Sequence, residues 1–346
     1  MTQYERSTAT LELPAVLAML EHEAVSDLAK SRALTLAPST DEAEVRRRLA
    51  ETSAARGMMV TQGSPSFSGV KDVRPSLQRA EMGGVLNTRE LTGIAGVLAA
   101  ARAAKSYAAG DGKREKTCID YLFQSLQANR YLEDKITSSI AGEDEIADAA
   151  SAELANIRRL IRAASARVRD ALQKIISSPS YAKALQDPII TTRSERYVVP
   201  VKAEFKNAVP GLVHDVSSSG ATLFVEPMAA VKANNELREL RAREKAEVER
   251  ILMELSADCA EHADDITRDF GILVSLDLIF AKAKLSYEYD GMEPEISGRA
   301  VALRRARHPL LPKDTAVPID LELGGDYDTL VITGPNTGGK TVTLKT

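Results

Sequence analysis

With 346 residues, 44 % apolar and 27 % charged, the chain is long enough for two or three domains with substantial cores. A net charge of −4 excludes a uniformly basic nucleic-acid binder, and Cys118 and Cys259 lie too far apart for a disulfide framework or a thiolate zinc site. No apolar run approaches the roughly 18 residues of a membrane span and no signal peptide is read, so the expectation is a soluble, cytoplasmic protein without a membrane partner.

Six Phe, nine Tyr and no Trp, against abundant Ala, Leu, Glu and Arg, favour long helices. Leu13 to Lys30 is periodic and predicts a helix. Thr40 to Gly57 predicts another, opened by the cap-like Ser39-Thr40-Asp41. The stretch from Gly63 to Gly69 is a loop by composition. Glu90 to Tyr107 is helical again, and Gly110-Asp111-Gly112 breaks the pattern. Glu143-Asp144-Glu145 suits a helix N-terminus better than a carboxylate catalytic site.

The most regular segment follows. Ala150, Leu154, Ile157, Ile161, Ala164, Val168, Ala171 and Ile175 form a heptad seam, with arginines between its members, over a rod of about 40 Å. A second long helix reads from about Met228 to His262, with Leu237, Leu240, Val248, Ile251 and Leu255 as its stripe and Glu239 and Arg243 at the i, i+4 spacing. Two such helices predict an antiparallel pair with something at its tip. Between them RYVVPV, GLVHDV and ATLFVEP change the period to that of strands, and Pro200 and Pro210 predict edges or bulges. Ile266 to Tyr287 is one more apolar helix, and strands follow from Val301.

The chain closes on TLVITGPNTGGKTVTLKT. Gly334, Gly339, Lys340 and Thr341 satisfy the P-loop spacing: glycines let backbone amides close on phosphate oxygens, the lysine reaches the β/γ-phosphates, and the Thr341 hydroxyl ligates Mg²⁺. Thr329-Leu330-Val331-Ile332 predicts the buried strand before the loop, and Thr341 to Lys345 the helix behind it.

Other constellations yield to simpler readings. His214 and Asp215 are strand neighbours pointing to opposite faces, so Asp215 cannot orient the histidine. Cys259 and His262 have no second pair nearby with which to hold a metal. Arg193, Arg196, Lys202 and Lys206 extend toward phosphates, yet acidic residues balance the basic ones between Ser178 and Pro227. A solvated surface competes there with a nucleic-acid contact.

The run GPNTGGKT, preceded by Arg307-His308-Pro309-Leu310 and ELGGDY, resembles the MutS ATPases. The stretch from Arg196 to Pro227, running into NNELRELR, resembles the bacterial type-two MutS family over essentially the whole chain. That resemblance implies a helical core, a lever of paired helices ending in a clamp, and an ABC-type ATPase domain. It implies ATP and Mg²⁺ as cofactors, with Gly334, Pro335, Asn336, Thr337, Gly338, Gly339, Lys340 and Thr341 on the triphosphate and Ala316 and Val317 beside the adenine. As partners it implies branched DNA or the ribosome and its rRNA, and a homodimer. Recombination suppression and splitting of collided ribosomes are the family's described roles. Phe224-Val225-Glu226 has the spacing of a mismatch wedge but lies in a strand run, so mismatch reading is not expected. The Walker B acid, signature segment and nuclease module that the family carries are not found in this sequence, so no catalytic residue is assigned and the chain alone is expected to be inactive.

The resulting expectation is a mainly α fold. Residues 1–112, completed by 266–298, form the helical core, 113–178 and 228–265 a long antiparallel coiled-coil lever, and 179–227 a small antiparallel β clamp. Residues 299–346 begin an α/β P-loop ATPase domain. The rival reading is a coiled-coil adaptor with a non-catalytic P-loop.

Overall fold

A computed structural model describes residues 3–110, 115–296, 298, 300–334 and 339–346. These residues are mainly helical with small antiparallel sheets. They form two compact units: Met1–Glu81, Thr92–Glu133 and Cys259–Thr346 make the first, Met82–Leu91 and Asp134–Asp258 the second.

The chain opens with α1 (Gln3–Thr10), α2 (Leu13–Glu23), α3 (Asp27–Leu34), α4 (Glu42–Gln62) and α5 (Arg74–Glu81). The periodic stretch from Leu13 to Lys30 is thus two helices and not one. Asp277 accepts hydrogen bonds from the amides of Val25 and Ser26 and from the Ser26 hydroxyl, at 3.1, 2.7 and 2.6 Å. A distant carboxylate therefore supplies the cap that α3 lacks locally, and the break follows. Asp41, as expected, caps α4 by accepting from the amides of Ala43 and Glu44. Next come α6 (Thr88–Ala109), α7 (Asp120–Ser125) and α8 (Arg130–Ser139). The loop from Gly63 to Gly69 lies against α6, where a Cβ on Gly96 would sit 2.8 Å from the Gly69 carbonyl oxygen. Glycine is required there for close backbone approach. Phe67 of that loop meets Phe280, whose ring also contacts Tyr107 and Phe123 at centroid separations of 5.9 and 6.3 Å.

Glu143-Asp144-Glu145 starts no helix, contrary to expectation. It closes a hairpin of β1 (Ile140–Gly142) and β2 (Glu145–Ile146), in which Ile140 pairs with Ile146. The next helix, α9 (Ala152–Ile176), waits for Ser151, whose hydroxyl oxygen accepts the Leu154 amide at 2.9 Å. Along α9 the buried seam is Leu154, Ile157, Ala164, Val168 and Leu172. The heptad reading placed Ala150 and Ala171 in it. Ala150 precedes the helix, and Leu172 replaces Ala171 because a 3.6-residue turn drifts against a strict 3.5 repeat.

A four-stranded antiparallel sheet follows: β3 (Thr191–Arg193), β4 (Arg196–Lys202), β5 (Gly211–Val216) and β6 (Thr222–Pro227), in the order β3-β4-β6-β5. Pro200 therefore stands in an interior strand and not at an edge. The Pro200 carbonyl accepts the Gln186 amide at 3.0 Å, so its nitrogen also faces away from β6 and the β4–β6 ladder loses nothing. The helices α10 (Met228–Glu261) and α11 (Ala263–Glu288) complete this stretch. Glu153 pairs with Arg243, Arg158 with Glu244 and Arg167 with Glu236, at 2.7, 2.7 and 2.6 Å. Ser151 donates to Glu247, Arg158 pairs with Glu244 and Arg167 with Glu236, so rising numbers along α9 meet falling numbers on α10 and the two run antiparallel, while Arg243 serves Glu153 in place of Glu239. Ala164, Leu237 and Leu240 pack between them with Leu160 and Ile161. The sheet rests on the same pair: Val199, Val201 and Val225 share one cluster with Val168, Leu172 and Ala230.

Last come β7 (Val301–Ala306), paired antiparallel with β8 (Ile319–Leu323), and α12 (Lys340–Lys345). The expected strand at Thr329–Ile332 is not formed. Leu330, Val331 and Ile332 are exposed, and among the described residues nothing pairs with them. A parallel strand depends on ladder partners and on cover over both faces, so β-branched composition alone does not make one.

Candidate functional site

The P-loop begins and ends at described residues, while Pro335, Asn336, Thr337 and Gly338 lie outside them. Gly334 has φ 138° and Gly339 φ 79°, backbone conformations that L side chains rarely adopt. Gly339 turns the chain directly into α12. Lys340, half-buried, donates from Nζ to the Gly334 carbonyl at 2.6 Å, so its ammonium bridges the mouth of the loop. Thr341 is exposed on the first turn. Lys345, at the other end of α12, reaches Glu12 at 2.7 Å. That hydrogen bond holds the Glu12 carboxyl below the usual carboxylate range, with burial opposing it and the Lys345 charge adding to it. The two residues assigned to adenine are set apart in character. Ala316 accepts a 3.4 Å hydrogen bond from Arg307 Nε at its carbonyl, while Val317 is 81 % exposed. Positive-φ glycines at 334 and 339 and a lysine reaching back to the Gly334 carbonyl are the described features of the loop read from the sequence. Among the described residues no group of three or more His, Cys, Asp or Glu could hold a metal.

The four basic residues of the β module have different fates. Arg193 lies over the Phe224 ring, 4.1 Å from its centroid, with Nε 3.2 Å from Asp215. Arg196 is turned inward, its side chain 14 % exposed, and bonds Glu226 at 2.7 Å and Asn235 at 2.7 Å. Lys202 is half-buried and Lys206 exposed. Two of the four are thus tied to neighbours, and Lys206 is the one that faces water.

Sequence reasoning missed the residue that organises this module. Glu226 has a fully buried side chain and accepts from Arg196, from His214 Nε2 at 2.5 Å and from Asn234 Nδ2 at 2.8 Å. Asn234 also receives the Tyr197 amide at 3.2 Å and donates to its carbonyl at 3.0 Å, so one side-chain amide of α10 extends the ladder of β4. His214 reaches the carboxylate because β5 carries a bulge between Val213 and Asp215, which re-aims the intervening side chain. Its partner is Glu226 and not Asp215.

No family model matches the chain. It is 47 % identical over 345 residues to Endonuclease MutS2 of Acetivibrio thermocellus, a match spanning 99 % of this chain and 44 % of that protein. The chain belongs to the MutS2 family. Endonuclease MutS2 of Alkaliphilus oremlandii is 46 % identical over 345 residues, and that of Ruminiclostridium cellulolyticum 44 % over 344, again across 99 % of the chain and 44 % and 43 % of the relatives. The chain therefore spans less than half the length of these MutS2 relatives. Among its described residues no helix is long and apolar enough to cross a membrane.

Proposed function

We propose that this MutS2 chain couples ATP held at Gly334–Thr341 to the grip of the β3–β6 module on nucleic acid or a ribosomal surface, within a homodimeric ATPase. In this reading residues 1–112 and 266–298 are the core, 113–178 and 228–265 the lever, 179–227 the clamp and 299–346 the start of the ATPase domain. The antiparallel pairing of α9 and α10 is the observation that carries it. Two helices locked by cross-helix ion pairs and a shared apolar seam resist bending, and α10 is about 50 Å long. Bound ATP would supply the triphosphate charge, with Mg²⁺ on Thr341. The chain's own part is to orient the phosphates with loop amides and to place the Lys340 ammonium against them. The endonuclease in the relatives' name supports DNA as one partner; recombination suppression and rescue of collided ribosomes are the two roles that fit such a grip.

The test is binding of a fluorescent ATP analogue with Mg²⁺ to the protein as the cell makes it. Lys340→Ala should weaken the analogue about tenfold or more and abolish ATP-dependent release from branched DNA or stacked ribosomes. Equal binding by both forms would favour the adaptor with a non-catalytic P-loop.

A further inference from the structure

A second cationic site lies in the first unit and shares no residue with the loop at 334–341. On α11, Ser275, Leu278, Ile279 and Lys282 recur at i, i+3, i+4 and i+7 and so line one face. That face borders a cavity of about 240 Å³ whose other walls carry Arg32 from α3, Arg47, Arg48 and Glu51 from α4, and Tyr121 from α7. Four cations meet one carboxylate. Glu51 is engaged by Arg47 at 2.9 Å, and Arg48 is engaged by Glu44 at 2.5 Å. Arg32 has a long 3.4 Å contact to the Ser275 hydroxyl. Lys282 makes no hydrogen bond or ion pair among the described residues. Burial first, and then Arg48, push its ammonium below the usual lysine range, with Glu51 opposing and Arg47 adding. A half-buried cation facing other cations is unfavourable unless an anion joins them.

We infer that this cavity binds the phosphate group of a small phosphorylated ligand, with Lys282 at its floor and Arg32 at its rim. Arginine forks and an ammonium lining one cavity match the acceptor oxygens of a phosphate better than a flat carboxylate. Leu36, Leu278 and Ile279 give an apolar wall, and the half-exposed Tyr121 ring gives a planar one, so the ligand carries an apolar or planar group beside its phosphate. An adjoining hollow of about 450 Å³, sharing Arg32, Leu36, Arg48 and Leu278, brings the space to the size of a nucleotide.

The experiment measures thermal stability and calorimetric binding with inorganic phosphate, AMP and a single-stranded oligonucleotide, all in the Lys340→Ala background so that the P-loop does not contribute. Phosphate and AMP should raise Tm, AMP more. Lys282→Met should erase the shift and weaken AMP about tenfold, while raising Tm without ligand because an unpaired, half-buried cation is gone. Arg32→Gln, at an exposed rim position, should weaken AMP with the ligand-free Tm unchanged, and it remains informative if Lys282→Met fails to fold. The proposal falls if neither phosphate nor AMP shifts Tm, or if the shift survives both substitutions. It falls equally if the oligonucleotide alone binds, which would make the cavity part of a strand-binding surface.

Discussion

Asp269 and Asp277 stand about two turns apart on α11, and both spend their carboxylates on backbone amides of other segments. Asp277 holds the turn before α3, and Asp269 accepts the Gln127 amide at 2.9 and 3.1 Å. The ionised form of Asp269 is poorly served. Burial pushes its pKa up from 3.8 to about 6, although the Gln127 amide opposes. The folded state therefore holds this proton more tightly than the unfolded chain. The associated stability is complete below pH about 4 and is lost as pH rises through about 6, by up to about 3 kcal/mol. Urea midpoints measured from pH 4 to 7 should show this decline, and Asp269→Asn, which keeps an acceptor for Gln127, should flatten it. An unchanged slope in the variant would sink the assignment. Sequence reading took α11 as an apolar helix, since periodicity shows which face is inward but not which aspartates are sealed within it.

At the scale of elements, the sheet is fastened to α10 by charge as well as by packing. Glu226 anchors Arg196, His214 and Asn234 from β4, β5 and α10. Its removal leaves a guanidinium poorly exposed and without its carboxylate. Glu226→Ala should cost about 3–5 kcal/mol, while Glu226→Gln, which retains an acceptor oxygen, should cost less; denaturant titration separates the two. Equal, small losses would mean that the apolar cluster beneath the sheet suffices. Helices as such were legible: α4, α6, α9, α10 and α11 all follow their periodic runs. Their ends and joints were less so. The break between α2 and α3 depends on Asp277, far along the chain, and the seam of α9 exchanges Ala171 for Leu172 through accumulated helical drift.

For the molecule as a whole, each compact unit is assembled from stretches that are not consecutive, and α6, α8 and α10 each contribute residues to both. The proposed grip on nucleic acid makes a specific claim on the clamp. Lys206, exposed and making no ion pair among the described residues, should contribute a phosphate contact. Lys206→Ala should lower affinity similarly across DNA sequences and reduce the slope of log K against log salt by about 1. Arg196→Ala should instead act on stability through Glu226. If Lys206→Ala leaves the salt slope unchanged, the grip lies elsewhere than on this sheet.

The sequence by itself determined the mainly helical class and the family, and it marked the glycine–lysine spacing at 334–341 on which the proposed function rests, because local spacing sets helical periodicity. Tertiary structure alone decided which charges are sealed and which face water. It turned Arg196 inward onto Glu226, aimed His214 across a bulge, gathered Arg32 and Lys282 around one cavity, and left Thr329–Ile332 without a ladder. Such outcomes follow from desolvation and from pairing set by tertiary folding, across 12 positions for His214 and Glu226 and 30 for Arg196 and Glu226, and hydrophobic periodicity carries none of it.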